Sequence, residues 1–119
     1  MGKKAQGKKC EAMQGLIDES EGIISETKDD TFTRDAALII AAQKVEHYEI
    51  AAYGGLAQLA KTMNKKGISN TLGITLNEEK KTDELLTRIA EKSINVEASK
   101  EEEGEDKPSL KESFMTIFS

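Results

Sequence analysis

Residues 41–53 read AAQKVEHYEIAAY, an apolar stretch carrying two glutamates, Glu46 and Glu49, three residues apart. Read as a helix and extended to both sides, it puts Leu38, Ala42, Val45, Glu49, Ala52, Leu56 and Leu59 on one face, in alternating steps of four and three. That spacing marks the seam of a packed helix. Glu49 stands in the middle of the seam, where a leucine is expected, so a carboxylate interrupts a core stripe.

Worked outward, the pattern runs from about Phe32 to Met63, a helix of roughly 45 Å at about 1.5 Å per residue. That length belongs to a bundle rather than to a compact α/β domain. Gly54 and Gly55 would each weaken a helix interior by about 1 kcal/mol. The small neighbours Ala51, Ala52 and Ala57 point to close approach of another helix as compensation, with a kink as the competing reading. Upstream, Met13, Leu16/Ile17, Ser20 and Ile23/Ile24 recur at helical steps and predict a first helix over about 10–26. The polar segment KDDTFT breaks the chain there, and Thr31 or Thr33 can cap the second helix, with Asp35 favoured in its first turn. Downstream, NKKGIS reads as the connection, with Gly67 ending one helix and Ser69 or Asn70 starting the next.

The third helix is predicted over about 70–95, with the stripe Leu72, Leu76, Glu79, Thr82/Asp83, Leu86 and Ile89/Ala90. Glu79 repeats the oddity of Glu49. A short connection makes the second and third helices antiparallel neighbours, and counting away from it brings the two glutamates to similar heights. No strand pattern occurs. The fold class is all-α: a short N-terminal helix (about 10–26) plus a long antiparallel hairpin (about 32–63 and 70–95), half of a four-helix bundle.

Composition sets the limits. The first nine residues, MGKKAQGKK, form a basic, flexible N-terminus, and residues 96–119 an acidic, largely disordered tail that includes KEEEGEDK and the single proline. In the tail, Phe114, Met115, Ile117 and Phe118 offer apolar groups with no place in the helical pattern. The net charge of −5 is spread among interspersed acids and lysines, which argues against nucleic acid as a partner. The apolar run AALIIAA is far too short to span a bilayer. A lone Cys10 and the lack of a signal-like run fit a reducing cytoplasm.

An ionised carboxylate in an apolar interior costs several kcal/mol or neutralises by raising its pKa, and two that face each other are worse. Helical bundles solve the problem with inward glutamates that hold a pair of Fe or Mn ions. Glu46 and Glu49 share one broad face, and Glu79 and Asp83, four apart, form a comparable pair on the partner helix. These four are the candidate metal ligands, and an all-carboxylate set suits hard cations such as Mn, Mg or Fe(II). The alternative for the same residues is a solvated face, with Glu46 and Glu79 paired to Lys44, Lys80 or Lys81. His47, the only histidine, lies off the Glu49 seam, and Lys44 precedes it by three, so there is no Glu-x-x-His. It reads as a flank or interface residue, Tyr48 and Tyr53 as packing residues with wet hydroxyls, and Cys10 as an idle thiol. No nucleophile–base pair, phosphate-binding loop or zinc signature is present, and no catalytic residue is assigned.

The stretches KAQGKKCEAMQGLIDE, DAALIIAAQKVEHYEIAAYGGL and LNEEKKTDELLTRIA closely resemble the YciE/YciF family of bacterial ferritin-like proteins, over about residues 4–95. The resemblance implies a four-helix, ferritin-like bundle with a di-metal (Fe or Mn) centre, an association with stress responses, a tendency to dimerise and no settled biochemical activity. It puts Glu46 and Glu49 on the third bundle helix and Glu79 on the fourth. Ferritin-like proteins often carry Glu-x-x-His there. Here Thr82 takes the histidine's position, with Asp83 beside it, which counts against ferroxidase-type chemistry. Family members have two further long helices before this segment, so the resemblance implies a shortened member. A hairpin without those helices exposes an apolar stripe, and a homodimer through helices 32–63 and 70–95 is expected to rebuild the bundle, bringing the four acids together twice. The expected function is that of a metal-binding, stress-associated protein without established catalysis. The alternatives are a metal-free interaction or dimerisation module and a di-metal oxidase or catalase-like enzyme.

Overall fold

Capping chemistry sets where the helices begin. In the computed structural model, which describes residues 2–101, α1 spans Glu11–Glu26 and α2 spans Phe32–Thr62. Cys10 caps α1, its Sγ accepting the Met13 N–H at 3.4 Å, and Thr31 caps α2 by accepting the Arg34 N–H at 3.2 Å. Each cap satisfies a backbone donor that a helix start would otherwise leave open. Residues 2–9 precede α1 as exposed chain without regular structure.

The turn after α2 is tighter than the sequence reading placed it. Asn64 adopts the left-handed conformation (φ 60), Lys65 N–H donates to Ala60 O at 2.8 Å, and Asn64 N–H donates to Lys61 O at 3.0 Å. This paired C-terminal closure is usually built on glycine, but asparagine tolerates the same backbone region. With the stop at Asn64, Gly67 becomes helical and α3 starts at Lys66, spanning Lys66–Ile89, rather than at Asn70.

The far end also departs from expectation. A π-helical turn over Ala90–Ile94 follows α3, closed by a bond from Asn95 N–H to Ala90 O, and leads into α4, Asn95–Lys100. Residues 96–100, expected in the tail, are therefore helix, held by two contacts that no local signal announces. Ala98, 2% exposed, packs inward, and the Glu101 carboxylate accepts the N–H groups of Phe32 (3.0 Å) and Thr33 (2.6 Å) and the Thr33 hydroxyl (2.6 Å). Burial acts to raise the Glu101 pKa, but the Thr33 hydroxyl and the two backbone donors outweigh it and hold the carboxyl below its ordinary range. The rest of the expected tail, including Phe114, Met115, Ile117 and Phe118, lies outside the described residues.

Arg34 locks α1 to the start of α2. Its guanidinium donates to Ile24 O (2.7 Å), Thr27 O, Thr27 Oγ1 (3.0 Å) and Asp29 (2.9 Å), satisfying carbonyls at the C-terminal end of α1. Ile23 of α1 packs with Ala37 and Ala41, flanked by Leu38 and Ile40. The buried residues of α2 are all alanines: Ala36, Ala37, Ala41 and Ala60. Helix α1 meets α2 through Cys10–Tyr48 and Glu19–Lys44, and α3 meets it through Gln43, His47, Gly54 and Ala57. At 3.6 residues per turn the Leu38–Leu59 seam faces neither neighbour squarely. Leu56 is 51% and Leu59 55% exposed. The stripe expected to be a closed core is half-buried from Leu38 to Ala52 and exposed at Leu56 and Leu59, because α1 and α3 approach α2 from other sides.

Gly54 and Gly55 leave α2 unbroken. A methyl group on Gly54 would sit 3.9 Å from Leu76 Cδ1 and Cδ2, an ordinary contact, and one on Gly55 would meet nothing within 4 Å. Close approach therefore applies to Gly54 alone, and even there alanine fits. No helix among the described residues is long and apolar enough to cross a membrane.

Two stability changes follow. Gly55→Ala should stabilise the chain by about 0.5–1 kcal/mol in thermal unfolding, through helix propensity alone. Glu101→Ala should cost about 1 kcal/mol at neutral pH through the lost cap. Because the Glu101 pKa is lowered on folding, that difference should vanish as pH falls below its ordinary value of 4.5 and through the folded one.

Candidate metal centre

The antiparallel pairing of α2 and α3 brings Glu46 against Glu79. Glu46 Oε2 is enclosed, and no backbone N–H, amide or cationic group donates to it. Burial, a hydrogen bond with the Glu79 carboxyl, and the charges of Glu79, Asp83 and Glu49, in that order, raise the Glu46 pKa from 4.5 to about 7. A hydrogen bond between two carboxyl groups needs a proton, and burial together with the neighbouring charges favours the protonated form of Glu46.

Asp83 is turned to the flank of the helix pair. Its Oδ1 lies 3.1 Å from His47 Nε2 and 3.5 Å from Gln43 Nε2, and Gln43 also donates to Thr87 Oγ1 at 2.8 Å. Gln43 and His47 are one turn apart on α2, as Asp83 and Thr87 are on α3, so the four make a polar ladder along the edge away from the seam. His47 is 68% exposed and serves as that edge's donor. Glu49, on the seam itself, is near enough to raise Glu46, Tyr48 and Cys10 through its charge.

Of the four sequence-derived ligands, then, one chain brings Glu46 and Glu79 into contact and holds Glu49 and Asp83 at the margins. Among the described residues no three His, Cys, Asp or Glu side chains converge on a point that could hold a metal ion. An enclosed carboxylate oxygen without a donor, facing a second carboxyl, has the chemistry of a hard-cation ligand. The fit is partial, since a six-coordinate ion needs more donors than this pair supplies.

Sequence reasoning passed over one further contact. Cys10 Sγ lies 3.1 Å from the Tyr48 hydroxyl. That hydrogen bond, aided by the Met13 N–H, lowers the thiol's pKa, and the same contact raises that of Tyr48. The available signal was Cys10 in the capping position before the α1 stripe.

Comparisons with known proteins agree on relatedness. Residues 1–99 match the family described as a domain of unknown function, DUF892. Protein YciF of Escherichia coli K12 is 50% identical over 95 residues, covering 80% of this chain and 57% of YciF. The crystal structure of the E. coli stress protein YciF superposes with a TM-score of 0.73 at 49% identity, covering 79% of this chain and 58% of that one. The chain thus spans a little over half the length of the relative it matches.

The Glu46 proton has a pH signature. A carboxyl whose pKa rises on folding contributes stability fully below its ordinary value of 4.5 and loses it as pH climbs through about 7. The melting temperature of the chelator-treated protein should fall over that interval, and Glu46→Gln should flatten the profile. An unchanged slope in the variant would place the titrating group elsewhere.

Proposed function

The chain belongs to the DUF892 family, and from that premise we propose that it is a metal-binding, stress-associated bacterial protein with a ferritin-like bundle and a carboxylate site for Fe or Mn. The observation that carries the reading is Glu46 Oε2, enclosed, without a donor and set against the Glu79 carboxyl. An uncompensated arrangement of this kind costs several kcal/mol, whereas a divalent cation turns it into a favourable one. The stress association rests on the E. coli stress protein YciF, whose solved structure shares 49% identity with this chain.

In this reading Glu46 and Glu79 hold the cation directly. Glu49 and Asp83 supply the nearest additional oxygens, Asp83 on release from His47 and Gln43. A bound Fe or Mn ion would supply Lewis-acid and redox capacity. The chain's own part is to present oxygen donors, give up the Glu46 proton on binding, and keep one face of the site dry. No catalytic residue is assigned. A lone thiol, Cys10, is compatible with the reducing cytoplasm that this proposal places it in.

A second reading, a metal-free helical interaction module, is favoured by one observation: no third donor joins the pair among the described residues. The two readings separate on Glu46→Leu. In the module, replacing an unneeded polar group by packing stabilises the protein with or without metal. In the metal reading it abolishes any response to metal.

Chelator-treated protein should therefore melt several degrees higher with Mn(II), or with Fe(II) under anaerobic conditions. Metal at a hundred times its dissociation constant adds about 2.7 kcal/mol. Circular dichroism would follow the transition, and the shift should be lost in Glu46→Ala and Glu79→Ala. A cooperative melt that metal leaves unmoved would reject the metal reading in favour of the module.

A further inference from the structure

Between the first half of α2 and the end of α3 lies an open apolar groove of about 370 Å³, lined by Leu38, Ile39, Ala42, Leu86, Ile89 and Ile94. Asp35 is its lining residue nearest the start of α2. The interior beside it is thin. Among the described residues the buried apolar side chains are Ile23 and six alanines, and no large one is fully enclosed. An exposed apolar groove marks a surface that another apolar element covers.

The way the chain leaves α4 selects that element. Glu101 is pinned to the first turn of α2, accepting the N–H groups of Phe32 and Thr33 and the Thr33 hydroxyl. Thr33 precedes Asp35 by two residues, so the chain beyond Glu101 sets out within one helical turn of the groove. From Asp35 to Ala42 the groove follows α2 for about 10 Å. Residues 102–108, EEGEDKP, reach at most about 25 Å, and Gly104 permits a reversal of direction. Lys28, whose charge acts on Glu101, stands where this acidic link begins.

The stretch that follows, SLKESFMTIF over residues 109–118, has the pattern of a short amphipathic helix. Ser109 and Glu112 form a capping box, and Leu110, Phe114, Ile117 and Phe118 fall on one face. That face runs about 13 Å, close to the length of the groove. Two of the chain's three phenylalanines lie in it, so the segment carries the bulk that an alanine-lined interior lacks. A short link holds such a segment at an effective concentration of about millimolar, which favours it over a separate molecule at micromolar concentration.

We propose that residues 109–118 dock as a short helix in the groove of their own chain, with the Leu110–Phe118 face against Leu38, Ile89 and Ile94. The Glu101 cap is the anchor that delivers the segment to the groove. None of the four candidate metal ligands takes part, so this inference stands or falls separately from the metal reading.

The test uses the full chain. It contains no tryptophan, so Phe118→Trp provides a single fluorescent reporter. Its emission should be blue-shifted and shielded from acrylamide, and adding Ile89→Glu should return it to that of a solvated indole. Ile89 is 42% exposed, so the hairpin should keep its helicity by circular dichroism. Phe114→Ser, which lies beyond the described helices, should release the indole in the same way should Ile89→Glu lose helicity. In the unsubstituted chain, amide exchange over residues 110–118 should be slowed about tenfold, and Phe114→Ser should abolish the protection. Light scattering at the same concentrations should give the mass of one chain. A solvated indole that Ile89→Glu leaves unchanged would overturn the docking. Protection that appears only together with a doubled mass would overturn the placement within one chain in favour of exchange between copies. A shielded indole that Leu59→Glu releases and Ile89→Glu does not would overturn the groove as its place.

Discussion

The structure turns on two carboxyl groups that meet across the α2–α3 contact, Glu46 and Glu79. Both are half-buried between the helices, and Glu46 Oε2 is closed off from solvent. Burial, the hydrogen bond between the carboxyl groups and the nearby charges favour a proton on Glu46 and raise its pKa to about 7. The arrangement is therefore poised at neutral pH: a proton, a cation or exposure to water each resolves it. Neighbouring features accommodate it, from the small residues around it on α2 to the flank ladder that draws Asp83 aside.

That ladder bears on chemistry. His47 and Gln43 give Asp83 donors on the outer edge, which divides the four acids into an inward pair and two marginal members. His47 itself is 68% exposed and engaged with that carboxylate. The architecture also leaves Leu56, Leu59 and Met63 about half exposed at one end of α2.

The ends of the hairpin show how long-range contacts set boundaries that periodicity leaves open. Arg34 gathers the carbonyls at the end of α1, and Glu101 caps α2 from the opposite end of the sequence. The π turn at Ala90–Ile94 adds one residue to the helical path and thereby rotates Ala98 onto the bundle. Without that rotation the acidic segment from Asn95 would read, as its composition does, as a solvated tail.

Much of this was legible in the residues themselves. Apolar steps of three and four carry the three helices and their antiparallel order, because a 3.6-residue repeat leaves little choice of face, and the cap at Thr31 and the glutamates at the helix centres follow from local chemistry. The tertiary structure alone decided which acids meet. Glu46 faces Glu79 while Glu49 stays on the open seam and Asp83 turns to the flank, a matter of rotation by a fraction of a turn that periodicity does not specify. It decided too that the α2 stop falls on Asn64 instead of Gly67, since either residue accepts left-handed backbone and only packing register chooses between them. The partial cover of the seam is likewise a tertiary fact: a stripe in sequence states that a face seeks cover, and the placement of α1 and α3 leaves it half-buried from Leu38 to Ala52 and exposed at Leu56 and Leu59.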